Sequence, residues 1–124
     1  MRGKPNSFPK KRIIRNKKEI GTVFSKGSAL FSYPFQIKFL PSKGKNWTSF
    51  LFSVPKKKHP KAVDRNRIKR QIKEIVRLHN DLWREDTDPK LVMITYIAKD
   101  KEDFNFLNRK LVSLMKRLFL EDGK

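Results

Sequence analysis

The chain has 124 residues, a size that suits one compact domain with a single core and leaves no room for two full domains. Hydrophobic residues make up 37% and charged residues 35%, and the formal net charge is +19. Such an excess of positive charge indicates a polyanionic partner, with nucleic acid as the leading candidate. The absence of cysteine excludes disulfides and thiolate metal sites. No apolar run approaches the ~20 residues that span a bilayer, so we expect no membrane partner.

The beginning of the chain is basic and contains early prolines. Met1 to Lys18 include eight Lys or Arg residues and no acidic residue. We therefore expect residues 1–15 to form a flexible basic arm, residues 16–120 to form a single folded domain, and residues 121–124 to form a tail. This end of the chain lacks the apolar block of a secretory signal, which favours the cytoplasm as the default location.

A first helix is predicted from Asn16 to Ser25. Ile20, Val23 and Phe24 lie on one helical face, and Lys26-Gly27 is a typical stop signal. Because this apolar face is short, the helix should cover only a small part of the core.

Short strands are predicted after the first helix. Apolar and polar side chains alternate over residues 35–39, and Phe50, Phe52 and Val54 recur at every second position over residues 50–54, which is typical of strands. Residues 41–46 have the composition of a turn, and residues 29–32 add a brief third strand.

The second half of the chain predicts two long helices and a buried strand. Residues 62–84 carry apolar side chains at a 3.6-residue period, and residues 107–118 do so again after Asp103, a candidate N-cap. Residues 91–98 are apolar at both parities, which predicts the central strand. The order α-β-β-β-α-β-α predicts an α+β fold, a two-layer sandwich of a mostly antiparallel four-stranded sheet with helices packed on it.

The strongest functional signal joins the second long strand to the main helix. Lys56 to Arg77 contain ten basic residues and two acidic ones. On a helical wheel, the residues beside and behind the apolar stripe are polar or basic: Asn66, Lys69, Arg70, Lys73 and Arg77. Guanidinium groups bind phosphates bidentately and ammonium groups act as point charges, so this face predicts binding to an RNA backbone.

A charged helix face that serves only for solubility is the alternative for this pattern. The local excess of cations, without acidic partners to balance it, favours binding over that alternative. Arg65 lies on the apolar side of the wheel, where it would anchor the start of the helix instead of contacting RNA.

The sequence resembles the bacterial ribonuclease P protein family in several places. The matching segments are Phe52–Lys57, Ala62–Val63 and Arg65–Arg70, which contains the family's Arg-Asn-Arg motif. Glu19–Gly27 is similar to the family's first helix and glycine stop, and the likeness covers roughly Asn16 to Leu118. It implies a ribosomal-protein-domain-like fold with a left-handed β-α-β crossover.

The resemblance also implies a function and a set of contacts. It implies the protein subunit of an endoribonuclease that removes the 5′ leader of precursor tRNA, with hydrolysis performed by a Mg²⁺-dependent RNA and no cofactor or catalytic residue on the protein. The partners would be the catalytic RNA, one protein per RNA, and precursor tRNA. The residues implied to contact the catalytic RNA are Arg65, Asn66, Arg67, Lys69, Arg70 and Lys73. Those implied to line a leader cleft, where rings can stack on any base, are Phe24, Phe52, Ser53, Lys56 and Lys57.

Two positions depart from the family pattern. Ile20 stands where a second aromatic is frequent, and Pro55 stands where a serine is usual. Pro55 also removes a backbone donor at the end of a strand. The detail of the leader cleft is therefore expected to differ from that of relatives.

Two other functions are weighed against this one. A ribosomal or RNA-chaperone protein fits the size and charge, but it has no need to combine the basic motif with a neighbouring aromatic strand. A stand-alone nuclease is disfavoured, because the acidic residues between Asp81 and Asp88 are better explained as caps and solubilising charge than as metal ligands. The histidines are twenty residues apart, and His79 is expected to pack in the core.

Overall fold

The structure, a computed structural model, describes residues 8–84 and 88–120. Its elements in chain order are a 3-10 turn (Lys10–Arg12), α1 (Lys17–Lys26), β1 (Ser28–Ser32), β2 (Phe35–Pro41), β3 (Ser49–Ser53), α2 (Ala62–Leu78), a second 3-10 turn (Asn80–Leu82), β4 (Lys90–Tyr96) and α3 (Phe104–Leu120). The predicted order of helices and strands is confirmed. The main helix is shorter than predicted, because it ends at Leu78.

The four strands form one mixed sheet in the order β1-β2-β4-β3. β1 pairs antiparallel with β2 and β2 with β4, whereas β3 runs parallel to β4. The prediction of a mostly antiparallel sheet with residues 91–98 at its centre is confirmed. β3, α2 and β4 form a β-α-β unit, and its implied left-handed crossover stays a prediction.

Helices lie on both faces of the sheet. On one face, α2 and α3 cover the larger core, where Phe50 and Ile94 are fully buried. On the other face, α1 packs on β2 and β4 over a smaller cluster that includes Val23 and Met93. We call these the α2–α3 face and the α1 face. Because β4 contributes to both cores, nearly all of its side chains are buried.

Local sequence signals explain where α1 begins and ends. The Asn16 side chain accepts hydrogen bonds from the backbone N–H groups of Lys18 (2.8 Å) and Glu19 (3.3 Å). At the other end, a Cβ on Gly27 would lie 2.5 Å from the Val23 carbonyl oxygen and 3.2 Å from the backbone of Phe39. Glycine is therefore required where α1 passes closely over β2.

A capping residue also marks the start of α3, whereas α2 begins without a side-chain cap. Asp103 caps α3, as predicted, because its carboxylate accepts a hydrogen bond of 3.0 Å from the N–H of Phe106. Beyond the end of α2, the second 3-10 turn brings Trp83 back, and its indole N–H donates to the Val76 carbonyl at 3.0 Å. Trp83 is therefore buried without a continuous helix. Within the two described ranges, no helix is long and apolar enough to cross a membrane.

The segment before α1 packs on the sheet from Phe8 onward. The Phe8 ring meets Phe50 edge-on at 5.6 Å, and the N–H of Ile14 donates to the Phe50 carbonyl at 2.8 Å. Arg12 is buried over the Trp83 ring at 4.7 Å. Apolar and aromatic contacts therefore hold part of the predicted flexible arm against the sheet. Residues 1–7 and 121–124, the rest of the arm and the tail, lie outside the described residues.

Candidate nucleic-acid interface

The basic helix face predicted from the wheel lies on the surface of α2. The buried stripe of α2 contains Ile68, Ile72, Ile75 and Val76. On the other side, Asn66, Arg67 and Arg70 are exposed, and Lys69 and Lys73 are half-buried. The apolar stripe fixes the helix to the sheet, so its cations have a defined position before any RNA binds.

A groove of about 830 Å³ lies between this helix face and the segment before α1. Its charged lining residues are Lys10, Arg15, Arg67, Arg70, Lys73 and Glu74. Five of these six side chains are cationic, so the groove suits a phosphate backbone. We call it the cationic groove.

Lys10 and Arg15 were assigned by the sequence to a flexible arm and not to a binding surface. The structure brings both beside α2, because Phe8 and Ile13 on the same segment pack against the large core. The apolar residues Phe8, Ile13 and Ile14, interleaved with cations, were the signal that could have revealed this placement.

Glu74 is the acidic member of the cationic groove, and its charge is matched within α2. Arg77 donates two hydrogen bonds to the Glu74 carboxylate, at 2.7 and 3.1 Å. These bonds lower the pKa of Glu74 and raise that of Arg77, against the opposing effect of desolvation. Arg77 is thus engaged with its own helix, unlike the exposed Arg70.

Arg65 anchors the loop before α2, as its wheel position predicted. Its guanidinium donates to the carbonyls of His59 at 3.0 Å and Pro60 at 2.8 Å. These contacts use part of its hydrogen-bonding capacity, and the side chain is half-buried. Its contact with RNA stays a prediction.

The loop from Pro55 to Lys61 is also held to the end of β4. The Lys58 ammonium donates to the Ile97 carbonyl at 2.7 Å, and the His59 Nε2 lies 2.8 Å from the Ala98 carbonyl oxygen. Lys56 and Lys57 remain exposed on this tethered loop. The loop therefore presents two cations at a fixed place beside the end of β3.

The burial of His79 differs from the expectation. His59 is only 4% exposed, whereas His79, expected in the core, is half-buried at the end of α2. The Nδ1 of His79 lies 2.9 Å from the Ile75 carbonyl oxygen. The sequence expectation for His79 is corrected because α2 ends there, so the side chain caps the helix instead of continuing its stripe.

On the α1 face, Phe24 presents an exposed ring. It is 63% exposed, and the Lys38 ammonium lies 4.3 Å from its ring centroid. The same ammonium donates to the Phe24 carbonyl at 2.8 Å. An exposed ring beside a cation can accept a stacked base and a phosphate together. Ile20, also in α1, is in contrast partly buried against the smaller cluster.

Phe52 is not brought together with Phe24. It is 6% exposed and its ring stacks on Phe50 at 6.0 Å on the α2–α3 face. Successive side chains of a strand point to opposite faces, so Ser53 lies on the α1 face while Phe52 does not. The structure therefore corrects the placement of Phe52, which belongs to the core.

Several acidic residues lie in or after the second 3-10 turn. The Asp88 carboxylate pairs with the Lys90 ammonium at 3.0 Å, and Glu85 and Asp86 lie outside the described residues. Residues 8–84 and 88–120 contain no group of three or more His, Asp or Glu side chains that could hold a metal ion.

Comparisons with known proteins identify the family of this chain. The family described as Ribonuclease P matches residues 8–119. The ribonuclease P protein component of Porphyromonas gingivalis is 32% identical over 106 residues, covering 81% of this chain and 77% of that protein. That of Finegoldia magna is 34% identical over 93 residues, covering 75% and 76%.

Solved structures share the fold. The RNase P protein of Staphylococcus aureus superposes with a TM-score of 0.71 at 23% identity, covering 85% of this chain and 93% of that one. The RNase P protein of Thermotoga maritima gives 0.71 at 24% identity, covering 85% and 96%. These likenesses confirm the α+β fold, and the sequence matches go further: the chain belongs to the ribonuclease P protein family, the protein component of an endoribonuclease ribonucleoprotein.

Proposed function

We propose that this member of the family binds the catalytic RNA along the cationic groove and the 5′ leader of precursor tRNA along the α1 face. The observation that carries this proposal is the tethered loop from Pro55 to Lys61, which joins the two surfaces. It ends β3 on one side and begins α2 on the other. One rigid connection thus sets the distance between two RNA contacts.

Binding of the catalytic RNA is assigned to the exposed side chains of α2. Arg67 and Arg70 supply guanidinium forks, and the groove adds Lys10 and Arg15 from the segment before α1. The remaining proposed contacts on this helix are Arg65, Asn66, Lys69 and Lys73. Release of counterions from the RNA would supply much of the binding free energy.

Binding of the leader is assigned to Phe24, Ser53, Lys56 and Lys57. An exposed ring accepts any base, and the two lysines of the loop attract the phosphates without reading sequence. Phe52 is not part of this leader site, because its ring packs in the core on the other face of the sheet. The resulting site tolerates leaders of different sequence.

Hydrolysis is assigned to the RNA, as the family resemblance implies, and Mg²⁺ supplies the chemistry there. The protein's cations lower the repulsion between two polyanions, which should raise the affinity for substrate. Assistance to divalent-ion binding is proposed from the family resemblance alone. One protein would bind each RNA, in the cytoplasm. The mature 5′ end of tRNA is then the product.

Precursor cleavage at low Mg²⁺ tests this proposal. We expect efficient cleavage only when the purified protein and a bacterial ribonuclease P RNA are mixed, because neither alone supplies both contacts. Cleavage by the protein alone, or no stimulation of the RNA, would overturn it. If the protein annealed RNAs but left cleavage unchanged, an RNA-chaperone function would replace it.

A further inference from the structure

A second exposed aromatic residue lies on the same face as Phe24. Phe31 in β1 is 59% exposed and pairs with Gln36 in β2. Gln36 lies two residues before Lys38, which contacts Phe24, so Gln36 and Phe31 share the α1 face. Phe31 lies outside the family motifs and outside the basic segments of the sequence.

Phe31 is one end of a row of side chains that crosses the whole sheet. Gln36 pairs with Thr95, and Thr95 with Ser53, so the row runs from β1 through β2 and β4 to β3. Four neighbouring strands place its ends roughly 14 Å apart. Gln36, Thr95 and Ser53 are each partly exposed, so the row forms an open strip.

The strip is open because α1 covers the neighbouring rows of the sheet and not this one. Met93 and Leu51, one step along β4 and β3, pack beneath α1 with Val23. Thr95 and Ser53 lie outside that cluster. The sheet therefore has a covered apolar half and an uncovered polar half on this face, with Phe24 at the boundary.

We propose that the leader site continues along this strip and that Phe31 stacks on an unpaired base at the far edge of the sheet. This extension rests on the proposed leader site and lengthens that site from the loop lysines to β1. The hydroxyl groups of Ser53 and Thr95 and the amide of Gln36 offer hydrogen bonds without charge. Phe24 and Phe31 supply the faces on which bases stack.

The two ends of the strip meet different parts of the leader. Ser53 continues through the tethered loop into α2, and α2 is assigned to the catalytic RNA. β1 is the opposite edge of the sheet. Leader nucleotides near the cleavage site therefore lie at Ser53, and nucleotides further upstream reach Phe31.

The chemistry of the strip favours an RNA strand over a protein partner. Phe31 is the only apolar side chain in the row of four, whereas a stable protein interface buries on the order of 1,000 Å² or more with an apolar centre. Beside the strip, Lys38 adds a cation that suits phosphates. A single strand needs only stacking faces, hydrogen-bonding groups and positive charge.

Holoenzymes reconstituted with Phe31→Ala and with Phe24→Ala test the extension on two precursors. One precursor keeps its full leader, and the other keeps only the nucleotides next to the cleavage site. We expect Phe31→Ala to weaken affinity for the full-leader precursor by roughly fivefold or more and to leave the short-leader precursor unaffected. Phe31→Tyr, which keeps the ring, should behave as the wild type, and Phe31→Leu should not.

The control is Leu120→Ala, which removes another exposed apolar side chain, 61% exposed, from the end of α3. If Phe24→Ala weakens binding while Phe31→Ala does not, the extension fails and the proposed function stands. If neither variant changes leader affinity, the proposal that the leader binds along the α1 face is overturned. If Phe31→Ala instead abolishes self-association in sedimentation, the strip is an interface between copies of this chain and the extension fails.

Discussion

The cationic groove and the α1 face use different physical means to bind RNA. In the groove, five cations from α2 and the segment before α1 surround one acidic side chain, itself paired with Arg77. On the α1 face, exposed rings lie beside single lysines and uncharged polar groups. The first surface should therefore respond to salt, and the second to the removal of an aromatic ring.

Salt should produce the largest difference between the two surfaces. If about six phosphates are contacted, affinity for the catalytic RNA should fall about 10³-fold from about 50 to about 200 mM salt. Arg70→Ala should reduce the slope of log affinity against log salt by about one, because one phosphate contact is lost. Filter binding across a salt series measures both.

Lys116→Ala is the matched control for that experiment. It removes an exposed cation from α3, so it changes total charge without changing the groove. Equal effects of the two substitutions would mean that overall charge, and not the groove, determines affinity. Unfolding of Arg70→Ala would contradict its exposed position.

Phe8→Ala should separate the two surfaces by damaging only one. The Phe8 ring packs edge-on against Phe52 at 5.4 Å and lies 5.8 Å from Trp83. Its loss should lower the free energy of unfolding by about 2 kcal/mol, less than for a fully buried phenylalanine. Because the segment also positions Lys10 and Arg15, affinity for the catalytic RNA should fall while preference for leader-bearing substrate is kept.

Chemical denaturation and binding assays read out the two effects of Phe8→Ala. Lys10→Ala is the comparison variant, since it removes one groove cation without removing the packed ring. Unchanged stability of Phe8→Ala would show that the segment does not pack as described.

Phe24→Ala tests the other surface, and we expect it to lower RNA affinity without lowering stability. One lost stacking contact is worth about 1–3 kcal/mol, and it should appear for precursor and not for mature tRNA. The ring is largely exposed, so folding should be unaffected. Equal losses for both RNAs would mean that Phe24 does not contact the leader.

The fold could be predicted from the sequence wherever periodicity was local. The apolar positions of α3 repeat at helical spacing, and all five, from Leu107 to Leu118, are buried. The end of α2 could not be predicted, because Trp83 keeps the spacing of the stripe although the helix ends at Leu78. A 3-10 turn places the same side chain in the core, and periodicity does not distinguish the two.

Only part of the candidate site could be predicted from the sequence. Exposed Arg70 and the anchoring Arg65 followed from the wheel. The resemblance predicted that Phe52 lines the leader cleft. Phe52 is two residues from Phe50 on the same strand, so the sequence already indicated that both rings share the buried face. The apolar residues among residues 8–14 indicate that this segment packs, but its contact with β3 joins distant parts of the chain, so no local pattern could determine that partner.

The first turn of α2, next to the tethered loop, should show the smallest effect, as a change in acid stability. Lys101 donates a hydrogen bond of 2.9 Å to the Asp64 carboxylate, and this bond lowers the pKa of Asp64, against desolvation. A lowered folded-state pKa stabilises the fold above the ordinary value of 3.8, and that contribution is lost as the pH falls through the folded value. Urea unfolding should therefore show Asp64→Asn less stable than wild type at pH 7, with the two converging in acid. Leader preference and salt slope should be unchanged, because Arg65 and His59 still hold the loop. A constant stability difference at every pH would mean that Asp64 acts through packing and not through its charge.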